Sequence, residues 1–203
     1  MKSFEEKSIQ SYDLKADGYD DTFDGRFTAR FKELILDEIS LNPGDCVLDV
    51  ACGNGTLLKM LSDKFKIQGY GTDISGKMVE NAGKKCPEMT FEVCGCESTP
   101  FPDHMFDAVT VCAAYHHFPD TGAFAKEANR LLKPGGMIYI ADVYYPFLIR
   151  KILNPFIPLS KAGDVKFYSS GEIQRNFQAY CFEGRKLRIE GHIQLVLMQK
   201  SID

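Results

Sequence analysis

The stretch VLDVACGNGT, residues 47–56, decides the fold of this chain. It opens on an apolar run that only Asp49 interrupts, and it ends in a Gly-Asn-Gly turn. An apolar run followed at once by glycines predicts a buried parallel strand that turns sharply. The segment after the turn places four apolar side chains on one helical face, namely Leu57, Leu58, Leu61 and Phe65. Strand, turn and helix together predict the ligand-binding start of a βαβ unit, in which glycines let a ligand approach the backbone.

Asp49 indicates which ligand this unit binds. A dinucleotide site holds a pyrophosphate at the helix N-terminus, and a carboxylate just before the turn opposes that anion. The same carboxylate suits a ligand that carries an ammonium group. The third glycine of the dinucleotide pattern G-x-G-x-x-G is also absent, because Leu58 stands at its position. These residues favour S-adenosylmethionine over NAD, and an NAD-dependent dehydrogenase stays open as an alternative.

Four motifs occur in a fixed order, and they are VLDVACGNG (47–55), GTDIS (71–75), FDAVTVCAAYHHF (106–118) and LLKPGGMIYIADV (131–143). On these motifs the chain resembles the class I S-adenosylmethionine-dependent methyltransferases of the small-molecule "type 11" kind, over roughly residues 34–144. The resemblance implies an α/β fold, a Rossmann-like three-layer sandwich whose seven-stranded sheet is mostly parallel with an antiparallel edge strand. It also implies that a methyl group moves by in-line displacement to a small-molecule acceptor. Which acceptor, and through which atom, stays open.

Composition limits the remaining classes. A length of 203 residues fits a single domain over residues 1–203. The net charge of -4 argues against a nucleic-acid partner, because phosphate binding usually needs a basic face. No apolar run is long enough for a membrane span, and the start MKSFEEKSIQ lacks the apolar region of a secretory signal. Seven cysteines without a disulfide-scaffold spacing favour a reducing, cytoplasmic location, and no cysteine or histidine spacing predicts a metal site. The oligomeric state stays open.

The predicted cofactor site follows the strand ends. Asp73 stands where βαβ folds place an acid that accepts hydrogen bonds from ribose hydroxyls, although a helix cap near Ser75 is the structural alternative. Asp49 is assigned to the ammonium group of the cofactor. The resemblance implies that the other contacts come from Ala51, Cys52, Gly53, Asn54 and Gly55 in the turn, Ile74 and Met78 beside the adenine, Gly95, Cys96 and Glu97 at its edge, and Ala113 near the methionine portion.

Gly95 departs from the family pattern. Similar enzymes carry an aspartate at this position, and its carboxylate meets the adenine amino group. Here the Cys96 N–H is the expected adenine contact, and either weaker cofactor binding or compensation by Glu97 follows.

The catalytic group is left unassigned, because a base is needed only when the acceptor keeps a proton. His116 and His117 follow a predicted strand end and are candidates, with Tyr19 and Tyr115 as lesser ones. Either histidine alone fits a structural role equally well.

Two segments are expected to shape the acceptor side. Residues 1–25 are polar, and they form either a solvated arm or a cover over the cofactor. Similar enzymes often begin with a Tyr-Asp segment that folds over the cofactor. This chain has two such pairs, Tyr12-Asp13 and Tyr19-Asp20, and the second is the better placed. Residues 144–170 are apolar and rich in proline, and they form either a core helix at the sheet edge or a lid or docking surface for an apolar acceptor, a partner or a membrane.

Two further functional alternatives stay open. One is a cofactor-binding protein that transfers nothing, for which Gly95 is the hint. The other is an arsenite methyltransferase, which four cysteines suggest, although small buried side chains explain them equally: Cys52, Cys94, Cys96 and Cys112.

Overall fold

A computed structural model of the chain describes residues 3–159 and 163–202. Residues 1–2, 160–162 and 203 lie outside this description, so the outermost parts of the predicted domain and arm, and a short part of the predicted lid, fall beyond it. Seven strands are present, and they are β1 (Cys46–Val50), β2 (Gln68–Asp73), β3 (Thr90–Val93), β4 (Phe106–Cys112), β5 (Leu132–Val143), β6 (Phe182–Glu190) and β7 (Ile193–Lys200). They form one sheet in the order β3-β2-β1-β4-β5-β7-β6.

The helices of the described ranges are α1 (Phe4–Lys15), α2 (Phe23–Glu38), α3 (Thr56–Phe65), α4 (Gly76–Lys85), α5 (Thr121–Leu131), α6 (Phe147–Leu153) and α7 (Ser170–Gln178). Short 3-10 turns occur at Tyr19–Asp21, Tyr115–His117 and Ile157–Leu159. Within the described ranges, no helix combines the length and the apolar content that a membrane crossing needs.

Side chains that alternate along each strand pack against helices on both faces of the sheet. Val47 belongs to the core beneath α2 and α3, whereas Leu48 and Val50 belong to the core beneath α5 and α7. This alternation is the period of two that a strand imposes, and it explains why the apolar run of β1 is nearly continuous. The predicted three-layer α/β sandwich is therefore confirmed.

The strand order places the ligand site. Strand β1 pairs in parallel with both β2 and β4. From β1 the sheet continues through β2 to β3 on one side, and from β4 it continues through β5 on the other side. The carboxyl ends of β1 and β4 therefore form a topological switch point, which is where open α/β sheets bind ligands.

The predicted antiparallel edge of the sheet is also confirmed. Strand β7 runs antiparallel to both β5 and β6. The pairing of β6 with β7 continues on both sides of a register shift between Gly184 and Lys186. Residues 133–136 lie within β5 but loop out of its pairing with β4, and Gly135 takes a positive φ of 76° there.

Helix α6 occupies the segment predicted as a lid or a core helix. None of its side chains is buried, and Phe147, Leu148 and Ile152 are each about two thirds exposed, at 67%, 69% and 67%. This exposure contradicts the alternative in which α6 is core. Asn154, which follows α6, fastens it to the loop before α7 through two hydrogen bonds with the Phe167 backbone, each 3.0 Å long.

Candidate active site

A deep cleft opens at the carboxyl ends of β1, β2 and β4. Together with the open solvent at its mouth, the cleft contains about 990 Å³ of empty space. All the predicted cofactor residues except Gly55 line this cleft. Gly55 instead packs away from it, because a Cβ at Gly55 would lie 3.1 Å from the Cβ of Ala82 on α4. Gly55 therefore allows close packing between α3 and α4.

The glycine turn presents backbone to the cleft. Gly53 has a φ of 53°, and a Cβ at this position would meet no atom within 4 Å, so the cleft side of the turn is open. Ala51 also has a positive φ, of 58°, which is uncommon for a residue with a side chain. The turn is held by the Cys52 N–H, which donates to the Thr72 carbonyl at 2.9 Å.

Asp49 lies at the base of the cleft and is almost fully buried. Its carboxylate accepts a hydrogen bond of 2.7 Å from the Thr110 hydroxyl of the neighbouring strand β4. Burial raises the pKa of Asp49 to about 7, against the opposing effects of Thr110 and of the nearby Lys32 ammonium. A buried carboxylate with so little compensation favours a cationic ligand group.

Asp73 ends strand β2 and organises the turn as well as lining the cleft. Its carboxylate accepts from the Gly53 N–H and from the Ser75 N–H, each at 2.9 Å. Burial raises its pKa, and these N–H donors act in the opposite direction. The cap of α4 belongs to Ser75, whose hydroxyl accepts from the Met78 N–H at 3.2 Å. Each Asp73 oxygen keeps a further lone pair that can accept from a hydroxyl.

Carboxylates occupy the space beside Gly95. The Glu97 Oε2 and Glu5 Oε1 atoms lie 3.0 Å and 3.6 Å from the position that a Cβ at Gly95 would take. Two other acids, Glu97 and Glu5, therefore lie at the wall of the cleft where the family pattern has an aspartate and this chain has Gly95.

The N-terminal residues predicted as an arm lie against the cleft. Tyr12 and Tyr19 both line it, and the Ser75 hydroxyl donates to the Asp13 carboxylate at 2.5 Å. Asp20 accepts from Thr56 at the start of α3, so it fastens the arm beside the glycine turn. The two Tyr-Asp pairs of the N-terminal residues, Tyr12-Asp13 and Tyr19-Asp20, thus both make contacts beside the cleft. A capping box between Ser3 and Glu6 starts α1.

The two histidines have different surroundings. His117 lines the cleft, and its Nε2 lies 3.0 Å from the Tyr12 hydroxyl. His116 does not line the cleft, and its Nδ1 lies 2.6 Å from the Asp142 carboxylate. Burial and the neighbouring His116 lower the pKa of His117, whereas Asp142 and Asp164 raise the pKa of His116 against burial.

Tyr115 does not belong to the cleft. It is fully buried beneath α5 and α7, where its hydroxyl accepts from Asn176 at 3.0 Å. Its backbone neighbours His116 and His117, but its side chain points into the opposite core, so the candidate role for Tyr115 was wrong.

Lys32 is a cleft residue that the sequence reasoning missed. It lies on α2, beside the apolar positions of that helix, and its ammonium donates to the Thr28 hydroxyl at 2.8 Å. A lysine next to Phe31 on an otherwise apolar helical face was the available signal. With Asp49 opposite, Lys32 gives the base of the cleft one carboxylate and one cation, a pairing that suits a zwitterion.

Residues 48–140 match the family described as "Methyltransferase domain". A demethylmenaquinone methyltransferase of Thermotoga maritima is 33% identical over 147 residues, which are 72% of this chain and 62% of that protein. The chain spans half or less of several other curated relatives.

Solved structures share the fold over nearly the whole chain. A chain in the complex between the Haloferax volcanii Trm112 methyltransferase activator and the putative methyltransferase has a TM-score of 0.82 and 22% identity, covering 94% of this chain and 97% of that one. Geranyl diphosphate C-methyltransferase from Streptomyces coelicolor, solved with Mg²⁺, a thiolodiphosphate and S-adenosyl-L-homocysteine, has a TM-score of 0.75 and 13% identity, covering 98% of each chain.

Proposed function

We propose that this chain, whose residues 48–140 match the family described as "Methyltransferase domain", transfers a methyl group from S-adenosylmethionine to a small-molecule acceptor. The observation that carries this proposal is the buried carboxylate of Asp49 at the base of the cleft. A pyrophosphate would be repelled by it, whereas the ammonium group of S-adenosylmethionine compensates it. The same observation opposes an NAD-dependent dehydrogenase.

The cofactor is proposed to lie along the strand ends. Its ammonium group faces Asp49, and its carboxylate faces Lys32, which supplies the matching cation. The ribose hydroxyls donate to Asp73. The adenine lies between Ile74 and Met78, with its amino group toward the acids that flank Gly95. This arrangement uses charged or polar groups at each polar end of the cofactor and apolar walls between them.

Methyl transfer needs the nucleophile, the methyl carbon and the sulfur in line, and holding them so supplies much of the acceleration. An acceptor that keeps a proton needs a base as well. We infer that His117 is this base, either directly or through the Tyr12 hydroxyl, because both groups line the cleft and lie 3.0 Å apart. Helix α1 carries Tyr12, so the proposed base becomes complete only when the N-terminal residues cover the cleft.

The acceptor is proposed to be apolar and to enter near α6. The loop that fastens α6 also contacts His116, since the Val165 N–H donates to the His116 carbonyl at 2.8 Å. The loop that Asn154 links to the end of α6 therefore also contacts the residue next to the proposed base. A quinol is one acceptor class to try first, because the Thermotoga maritima relative is named for demethylmenaquinone.

The alternative function of an arsenite methyltransferase has less support. Cys52, Cys94, Cys96 and Cys112 all line the cleft. Burial raises the pKa of the Cys94 thiol to about 11 and raises the pKa of the other thiols too. Arsenite binds thiolates, and these thiols remain protonated near neutral pH. Their small side chains suit a tightly packed wall, and arsenite that fails to block them from alkylation would agree with that role.

Calorimetric titration with S-adenosylmethionine and, separately, with NAD tests the proposal. Micromolar binding of the first without binding of the second is expected, after which acceptors are screened by radiolabelled methyl transfer. Binding of NAD would overturn the cofactor assignment. Binding of S-adenosylmethionine without transfer to any quinol, amine or carboxylate acceptor would favour the cofactor-binding protein that transfers nothing.

A further inference from the structure

Three potential metal ligands converge behind the wall of the cleft. One ring nitrogen each of His116 and His117 and a carboxylate oxygen of Asp164 all lie within 4.8 Å of one another. The two histidines are adjacent on the 3-10 turn after β4, and Asp164 comes from the loop before α7. All three side chains are largely buried, at 11%, 12% and 18% exposed.

The separation of Asp164 from His117 fits two ligands of one ion. Asp164 Oδ1 lies 3.3 Å from His117 Nδ1 and 3.6 Å from His116 Nε2. Both distances exceed the usual hydrogen-bond range. His117 Nδ1 is buried without a partner at hydrogen-bond geometry among the described residues, although the nearby Gly163 backbone opposes the lowering of the pKa of this imidazole. Two ligands held about 2.0–2.1 Å from one tetrahedral Zn²⁺ are themselves about 3.3–3.4 Å apart.

Neighbouring groups hold both imidazoles with a free lone pair toward the cluster. Asp142 lies 2.6 Å from His116 Nδ1, and a proton on that nitrogen would leave His116 Nε2, which faces Asp164, able to bind an ion. Tyr12 lies beside His117 Nε2, and a proton on that nitrogen leaves His117 Nδ1 free. A carboxylate behind a ligating histidine is the usual outer support of a zinc site.

Charge favours a cation at the same place. Asp142 is fully buried, and its Oδ2 has no hydrogen-bond partner in the described part of the chain. Asp164 adds a second carboxylate within reach of the same imidazoles. Burying two acids here is costly unless a positive charge compensates them, and either a protonated His116 or a bound cation supplies that charge.

We propose that His116, His117 and Asp164 form a binding site for one divalent transition-metal ion of the Zn²⁺ type, with Asp142 as the group that orients His116. Two imidazoles and one carboxylate select such an ion over Mg²⁺, which prefers ligand sets of oxygen alone. Three protein ligands leave a fourth position for water or for an anionic ligand. This inference departs from the sequence prediction of no metal, and it does not rest on the proposed methyl transfer.

A bound ion has a consequence for the cleft. An ion on His117 Nδ1 requires the proton of that ring to sit on Nε2, where it donates to the Tyr12 oxygen. His117 Nε2 then cannot accept a proton from Tyr12. Occupation of the site should therefore inhibit transfer to an acceptor that needs a base, while binding of S-adenosylmethionine persists.

Equilibrium dialysis with Zn²⁺ and the visible absorption of Co²⁺ test the site in the purified full chain, after treatment with a chelator. One ion per chain, four-coordinate Co²⁺ bands and no competition by Mg²⁺ are expected. Asp164→Asn should weaken Zn²⁺ binding at least about tenfold, and Asp142→Asn by about 10–100-fold. Asp63→Asn, which changes an exposed surface carboxylate on α3, is the matched control and should bind as the unaltered chain does.

Thermal unfolding of each variant without metal shows whether a loss of Zn²⁺ binding reflects misfolding. Asp164 is less buried than Asp142, so Asp164→Asn is the variant on which the proposal is judged. Absence of Zn²⁺ binding by the unaltered chain would overturn the proposal. Binding that Asp164→Asn leaves unchanged would overturn it too, since the ion would then sit elsewhere, for example on the cleft cysteines.

Discussion

Binding of the cofactor should release a proton from Asp49. In the ligand-free chain, burial raises the pKa of this carboxyl to about 7, so it is largely protonated at pH 6. The ammonium group of the cofactor stabilises the ionised form, and its arrival lowers the pKa of Asp49. S-adenosylhomocysteine carries the same ammonium group and undergoes no reaction, which makes it the better ligand for this measurement.

The magnitude follows from the pKa. A carboxyl with a pKa of about 7 releases about 0.9 of a proton at pH 6 and about 0.5 at pH 7 when its ligand fixes the ionised form. The apparent affinity should accordingly rise about fivefold between pH 6 and pH 7. Calorimetry at pH 6 in buffers with different ionisation enthalpies measures the proton release directly, as the slope of the binding heat against the buffer enthalpy.

Asp49→Asn is the matched variant, because the amide oxygen can still accept from Thr110. Its proton release should be lower than that of the unaltered chain by about 0.9 of a proton at pH 6. Burial also raises the pKa of Asp73, so this carboxyl can contribute to the proton release. Subtracting the slope of the variant from that of the unaltered chain removes the contribution of Asp73. Equal slopes for the two proteins would refute the assignment of Asp49 to the ammonium group.

Three further predictions concern separate parts of the site. Asp73→Ala should weaken S-adenosylmethionine binding at least about tenfold, and unchanged affinity beside an exposed Asp63→Ala control would refute the ribose assignment. Tyr12→Phe should lower kcat by about 10²-fold for an acceptor that keeps its proton and leave cofactor affinity within about twofold, since only the hydroxyl beside His117 is lost; an unchanged kcat would exclude Tyr12 from the proton path. Phe147→Ser with Leu148→Ser should weaken apolar acceptors while cofactor binding and thermal unfolding stay as before, because both side chains are exposed; lost cofactor binding would instead mean that α6 supports the fold.

The central βαβ unit could be predicted because its signals are local. The apolar run of β1, the glycine turn and the apolar face of α3 are contiguous, and the spacing to Asp73 follows from the length of one strand and one helix. Asp49 and Asp73 were assigned to the site on this basis, and both line the cleft. A glycine in such a turn can allow the approach of a ligand or the close packing of a neighbouring helix. The sequence does not distinguish these two uses for Gly55, and its close contact with Ala82 is visible only in the structure.

The rest of the site depends on contacts between distant residues. Lys32 reaches the cleft because α2 crosses the sheet beside β4 and β5, which no local pattern encodes. Asp164 meets His116 and His117 across the sheet end, and its loop shows no motif. Helix α1 escaped prediction because its sequence has almost no apolar face, so its position comes from polar contacts such as Asp13 with Ser75.

Asp49 also links stability to ligand binding. Its pKa is raised in the folded chain, so it stabilises the fold fully below the unfolded pKa of about 3.9, and this stability is lost as the pH rises through about 7. A shift of about three pKa units corresponds to roughly 4 kcal/mol, which the ligand-free chain forgoes at pH 8. Asp49→Asn removes the ionisable group, and we expect its gain in unfolding temperature over the unaltered chain to be larger at pH 8 than at pH 5, because the loss of stability accumulates between the unfolded and the folded pKa. A variant that is equally stable at both pH values would show that the carboxylate is already compensated without a ligand. The expected result would instead mean that the fold keeps a destabilising charge at the place proposed for the ammonium group of the cofactor.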